Sequence, residues 1–143
     1  MKIFFWNIRG LGSNGRKKQL VELMSEHKIE VLALQETIKA DFSFGELQSL
    51  NVGDNFSWNW MATRGHSGGS LTGVKQGDPD AIEMDTGEFF SSIWEVINVY
   101  GPIQADRKDS FLQELREKIL SLNHPFIIDG DFKLNQICLG EIL

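Results

Sequence analysis

Two apolar runs separated by an amphipathic stretch open this chain, and that alternation limits the available folds more than any other feature. Ile3, Phe4, Phe5 and Trp6, within Lys2–Ile8, form a run too short for a helix and bounded by the turn Gly10-Leu11-Gly12-Ser13-Asn14-Gly15. It reads as a buried strand. In Arg16–His27, Leu20, Val21, Leu23 and Met24 recur at near-helical spacing, which predicts an amphipathic helix. Ile29–Gln35 supplies a second apolar strand that ends at Glu36. Strand, helix, strand in this order predicts a parallel pair.

The middle of the chain has a different texture. Phe44–Leu50 reads as a short helix, and Trp58 and Trp60 alternate with polar neighbours. The glycine-rich connection Gly65-His66-Ser67-Gly68-Gly69 leads into strand-like Ser70–Lys75, followed by Ala81–Met84 and the long alternating segment Phe89–Tyr100. Taken as one extended strand, Phe89–Tyr100 puts Trp94, Val96, Asn98 and Tyr100 on one face and Ile93, Glu95, Ile97 and Val99 on the other. Connections this short predict antiparallel pairing. Asp106–Leu122 is then a helix lined by Phe111, Leu112, Leu115, Ile119 and Leu122, stopped by Asn123, His124 and Pro125. Phe126-Ile127-Ile128 forms a last short strand running into Asp129-Gly130-Asp131, where Gly130 allows either a turn or continued extension. The expectation is an α/β fold, a mixed sheet layered with helices, in one domain over residues 1–143.

Composition removes several classes. Fourteen basic residues against 20 acidic ones leave a net charge of −6, so no overall positive field argues for nucleic-acid binding. The single cysteine, Cys138, forms no internal disulfide and reads as a small core residue in a reducing compartment. Asn7 and Arg9 interrupt the first apolar run before a signal-peptide core forms, and no run reaches membrane-spanning length. The expected location is therefore intracellular, nucleus or cytoplasm.

Three polar residues share one setting: Asn7, Glu36 and Asp131 each stand at or near the carboxyl end of a hydrophobic strand. That edge is where ligands bind in open α/β sheets, and carboxylates with an amide oxygen are the hard donors that magnesium takes. The plainer reading of each is a loop carboxylate or amide where a strand ends. Gly10, Gly12 and Gly15 match G-x-G-x-x-G between strand and helix, the context of a dinucleotide-binding turn; the antiparallel middle section speaks against a Rossmann domain. Arg16, Lys17 and Lys18 crowd the first helical turn as a phosphate-attracting spot or a solvated helix start. His66 is read either as a general acid or as an exposed loop histidine.

Five blocks in order carry a resemblance: Phe5-Trp6-Asn7-Ile8-Arg9-Gly10-Leu11-Gly12, Leu34-Gln35-Glu36-Thr37, Gly65-His66-Ser67-Gly68-Gly69, Asn98-Val99-Tyr100-Gly101-Pro102 and Asp129-Gly130-Asp131-Phe132. Together they resemble the endonuclease/exonuclease/phosphatase superfamily, in wording most like the endonuclease domains of plant non-LTR (LINE-type) retrotransposons. The resemblance implies a four-layer α/β sandwich of two mixed sheets and magnesium-dependent phosphodiester cleavage of nucleic acid. It implies Asn7 and Glu36 as the metal pair, Tyr100 as the phosphate contact and Asp131 as the carboxylate that orients the attacking water.

The departures from the pattern shape the expectation. Lys133 stands where the family has asparagine, the stretch between Lys75 and Tyr100 is shorter than in relatives, and the family's later Asp-His block has no counterpart. Twelve residues follow Asp131, none of them histidine. The expected protein is thus a partial sandwich, truncated at its carboxyl end, with weak nuclease activity or none. The alternative is a non-catalytic retroelement remnant or partner-binding module that self-associates through an exposed inner sheet face.

Overall fold

The computed structural model describes residues 2–51, 53–63, 65–66, 68–76, 81–85, 88–91 and 95–133. Ser67, Ile93, Trp94 and Cys138, which carried readings above, lie outside them. The first sheet holds β1 (Ile3–Asn7), β2 (Val31–Gln35), β3 (Phe56–Met61) and β4 (Ser70–Lys75) in the order β1-β2-β4-β3. The expected parallel pair is present: β1 and β2 run parallel from Ile3↔Val31 to Asn7↔Gln35. Next to them, β4 is antiparallel to both β2 and β3, so this is not the parallel sheet on which a dinucleotide turn sits.

The second sheet holds β5 (Ala81–Asp85), β6 (Glu88–Ser91), β7 (Glu95–Tyr100) and β8 (Phe126–Asp131) in chain order. Here one expectation is corrected. Phe89–Tyr100 is not a single strand, because β6 folds back antiparallel on β7 with Phe89 opposite Val96. Alternation alone cannot reveal this, since both arms of a hairpin keep the same period of two. The final strand is longer than its apolar part: β8 stays extended through Gly130 and pairs in parallel with β7 up to Tyr100↔Asp131.

Alternating side chains assemble four layers. Leu32 and Leu34 of β2 and Leu71 of β4 point outward into a core shared with Leu20 and Met24 of α1 (Asn14–His27) and Leu50 of α2 (Phe44–Leu50). On the far side, Leu115 and Ile119 of α3 (Lys108–Ser121) cover Val99, Ile97 and Ile128 of the second sheet. Between the sheets, Val31 and Val96 meet with Ile3, Phe5 and Val74 around them. The inner face of the first sheet was expected to lie open, but Val31 is 4% and Val96 2% exposed. The second sheet covers the first at these residues. No described helix is long and apolar enough to cross a membrane.

The basic residues that open α1 have structural employment. Arg16 stacks its guanidinium 5.6 Å from the Trp6 ring centroid, and Lys17 reaches Glu46 at 3.0 Å. Glu46 also receives Lys39 at 2.6 Å and closes a capping box with Ser43 at the start of α2. Lys39 first, then the Ser43 backbone and Lys17, pull the Glu46 carboxyl down from 4.5 to about 2. Because the folded value is depressed, the stabilisation is complete above about pH 4.5 and is lost as pH falls toward 2. The carboxylate is partly exposed, so its contribution is set at about 1 kcal/mol. Urea titrations should show Glu46→Gln less stable than the parent by that amount at pH 7 and equal to it near pH 2; a gap that persists in acid would refute the assignment.

Candidate functional site

Four strand ends converge at the same edge of the sandwich. Asn7 closes β1, Glu36 follows β2, and Tyr100 and Asp131 close the paired strands β7 and β8. The inward faces of the two sheets meet here, so side chains far apart in sequence come within hydrogen-bonding distance. Asn7 Nδ2 donates to Asp131 Oδ2 at 2.7 Å, and the Tyr100 hydroxyl donates to Glu36 Oε1 at 3.2 Å. All four residues singled out in the sequence are thereby brought together.

The backbone beneath them is held in an unusual state. Arg9, Glu36 and Lys133, one just beyond each of β1, β2 and β8, have φ of 50°, 53° and 53°. Left-handed conformation costs a non-glycine residue roughly 1–2 kcal/mol, and such strain concentrates at functional sites. Cross-loop hydrogen bonds hold it in place: Gly10 N to Glu36 O at 2.7 Å, Leu11 N to Thr37 O at 2.9 Å and Thr37 N to Gly69 O at 3.2 Å. The glycine-rich block is explained by proximity. A Cβ on Gly68 would lie 3.3 Å from the Tyr100 ring, and one on Gly69 2.7 Å from Thr37 Oγ1.

One participant was flagged in the sequence only as an odd substitution. The Lys133 ammonium sits between the two carboxylates, 2.7 Å from Glu36 Oε1 and in contact with Asp131 Oδ2, and lies 5.3 Å from the Tyr100 ring centroid. Its hydrogen bond is the main cause holding Glu36 below the ordinary carboxylate value, with Tyr100 and Asn7 adding to it against burial. Burial works to lower Lys133 itself, but Asp131 and Glu36 outweigh it and raise the ammonium above its usual range. Burial, then the Glu36 charge, raises Tyr100. At neutral pH the cluster therefore holds an anionic Glu36, a cationic Lys133 and a protonated phenol.

A second missed contributor lies one layer down. Gln35, 2% exposed, donates to Asn98 Oδ1 at 2.5 Å, and Asn98 Nδ2 donates to Thr72 Oγ1 at 3.2 Å and Leu34 O at 3.3 Å. This polar bridge joins the sheets directly beneath Glu36 and Tyr100. Its signal was available in the polar Gln35 closing an otherwise apolar strand. His66 is exposed, and Asp129, also exposed, accepts from the Gly130 N–H at 2.8 Å. An open cleft of about 820 Å³ borders the cluster; Asn7, Asp131, Lys133, Asp129 and Lys108 line it. Among the described residues Glu36 and Tyr100 lie off its wall.

A family model described as the Endonuclease/Exonuclease/phosphatase family matches residues 4–132. The chain belongs to this family. Solved structures agree on the fold at low identity. The 3′ phosphatase NExo from Neisseria, bound to a product DNA hairpin, is 19% identical with a TM-score of 0.67, and the match covers 94% of this chain and 58% of that one. An AP endonuclease from Archaeoglobus fulgidus is 16% identical with a TM-score of 0.65, covering 92% and 57%. The Xenopus laevis APE2 catalytic domain is 21% identical with a TM-score of 0.61, covering 96% and 60%. The chain thus spans less than two thirds of each of these structures. No curated protein matches it in sequence.

Membership of the family raises the question of a divalent ion. Among the described residues no three His, Cys, Asp or Glu side chains gather as a metal cluster. The donors present are two carboxylates and one amide. Asn7 Oδ1 is buried and accepts no hydrogen bond, while Glu36 offers an ionised carboxylate. Both are hard oxygens of the kind that such an ion takes together with waters. In donor chemistry the pair fits.

Proposed function

We propose that this chain carries a phosphodiester-directed site of the retroelement endonuclease kind, with nucleic acid as its substrate class. The observation that carries the reading is the convergence of Asn7, Glu36, Tyr100 and Asp131 from four strands onto one hydrogen-bonded cluster. The five sequence blocks support the retroelement kinship within the family, and the Neisseria neighbour's product hairpin supports DNA as the kind of polymer.

Asn7 and Glu36 are the residues to hold magnesium, which when bound supplies Lewis-acid polarisation of a phosphoryl oxygen. The remaining roles belong to the chain's own side chains. Tyr100, kept protonated by burial, is a donor for a non-bridging phosphate oxygen. Asp131, fixed by the Asn7 amide, is an acceptor that orients water for attack. Lys133 engages one oxygen of each carboxylate and so competes with these tasks.

The isolated chain is accordingly a very weak nuclease or an inactive one. Loss of a preorganised charge-stabilising group costs on the order of 10²–10³ in rate. In a plasmid-nicking assay with magnesium, the parent chain, Glu36→Ala and Asp131→Ala should all stay at the level seen with chelator. Strong nicking by the parent that either substitution abolishes would establish the catalytic roles and refute the low activity.

A further inference from the structure

We infer that the Lys133 ammonium is a tethered competitor for the divalent cation, closing the carboxylate site from within. The inference rests on the metal-site reading of Asn7 and Glu36 above. Three observations support it independently of any measured activity. The ammonium contacts Glu36 and Asp131 at once, meeting the electrostatic need that a divalent cation would otherwise meet. It lines the cleft beside Asn7 and Asp131, so it already stands where an ion entering from the cleft would meet these donors. And the lysine is held there by its backbone: Lys133 follows β8 in the left-handed region, and its N–H bonds Asp131 Oδ1 at 3.2 Å.

The consequence is a conformational tax on metal binding. A cation reaches Glu36 only in molecules whose Lys133 side chain has swung away, and the apparent affinity is reduced by the fraction in that state. If the open state is about 1–10% populated, as minor states of a few kcal/mol commonly are, the tax is roughly ten- to a hundredfold. Removing the ammonium should remove it.

Lys133→Asn suits the test, because asparagine tolerates the left-handed backbone that position 133 adopts. Lys133→Met is the second variant, retaining an unbranched stem without charge. Lys18→Asn makes the same charge change on an exposed helix position paired with Glu22, and so controls for net charge. The readout is Mn²⁺ binding followed by the enhancement of water-proton relaxation, with no turnover involved. Lys133→Asn and Lys133→Met are expected to bind Mn²⁺ at least about tenfold more tightly than the parent. Lys18→Asn should match the parent, and adding Glu36→Gln to Lys133→Asn should abolish the gain. Parent binding as tight as that of Lys133→Asn, still dependent on Glu36, overturns the competitor role and leaves the metal site standing. No binding by any variant overturns both. A gain in Lys18→Asn equal to that in Lys133→Asn overturns the competitor role as well. Should either lysine variant fail to fold, tight Glu36-dependent binding by the parent is decisive against the inference by itself.

Discussion

Gly130→Ala should lose about 4 kcal/mol or more of stability, a size reserved for a few specific mechanisms. Gly130 sits at φ 149° opposite Val99 in the β7–β8 ladder. A Cβ there would fall 1.9 Å from the Val99 carbonyl oxygen and 2.7 Å from its carbon. Both are backbone atoms held in a sheet, so no side chain can turn aside to make room. Relief requires parting β8 from β7, which also separates Asp131 from Tyr100. For a domain of this size the melting temperature should fall by more than about 10 °C. Gly12→Ala is the matched control, since nothing lies within 4 Å of a Cβ there. Circular-dichroism melts compare the two, and an unshifted Gly130→Ala transition would contradict the packing described.

Asn98→Leu carries the second large effect. It strips the acceptor from Gln35 Nε2 and the donor from Thr72 Oγ1 and the Leu34 carbonyl, all between the sheets. An unsatisfied buried polar group costs about 1–3 kcal/mol, and Gln35 and Thr72 are 2% and 4% exposed. A loss of about 3 kcal/mol in urea denaturation is expected. The double substitution Gln35→Leu with Asn98→Leu should recover a substantial part of it, because removing both partners leaves fewer orphaned groups. A double variant as unstable as the sum of the singles would show that shape and not hydrogen bonding governs this layer.

Much of the architecture was legible before any coordinates. Ile3–Trp6 and Val31–Leu34 are strands because they are short, apolar and bounded by turns, and Arg16–His27 is helical because its apolar residues repeat near 3.6. The Phe44–Leu50 and Ser70–Lys75 boundaries agree with the observed α2 and β4. Phe89–Tyr100 misled because hairpin arms continue one period, and only the pairing of β6 with β7 separates them. Phe126-Ile127-Ile128 fell short for a related reason: Asp129, Gly130 and Asp131 lack strand propensity, yet parallel pairing with Asn98, Val99 and Tyr100 extends them.

At the site, residue types and strand-end positions were enough to single out Asn7, Glu36 and Asp131, since the chemistry of hard oxygens and the usual ligand edge of an α/β sheet are local properties. Distance between strands is not a local property. That Asn7 bonds Asp131 across 124 residues, and that Lys133 folds back 97 residues to Glu36, was decided by the stacking of two sheets. Sequence could also mark Lys133 as a cation in an asparagine's place, but not where its ammonium would lie. A long, flexible side chain takes its position from the charges that the tertiary fold assembles around it, and here those charges are the two carboxylates of the site itself.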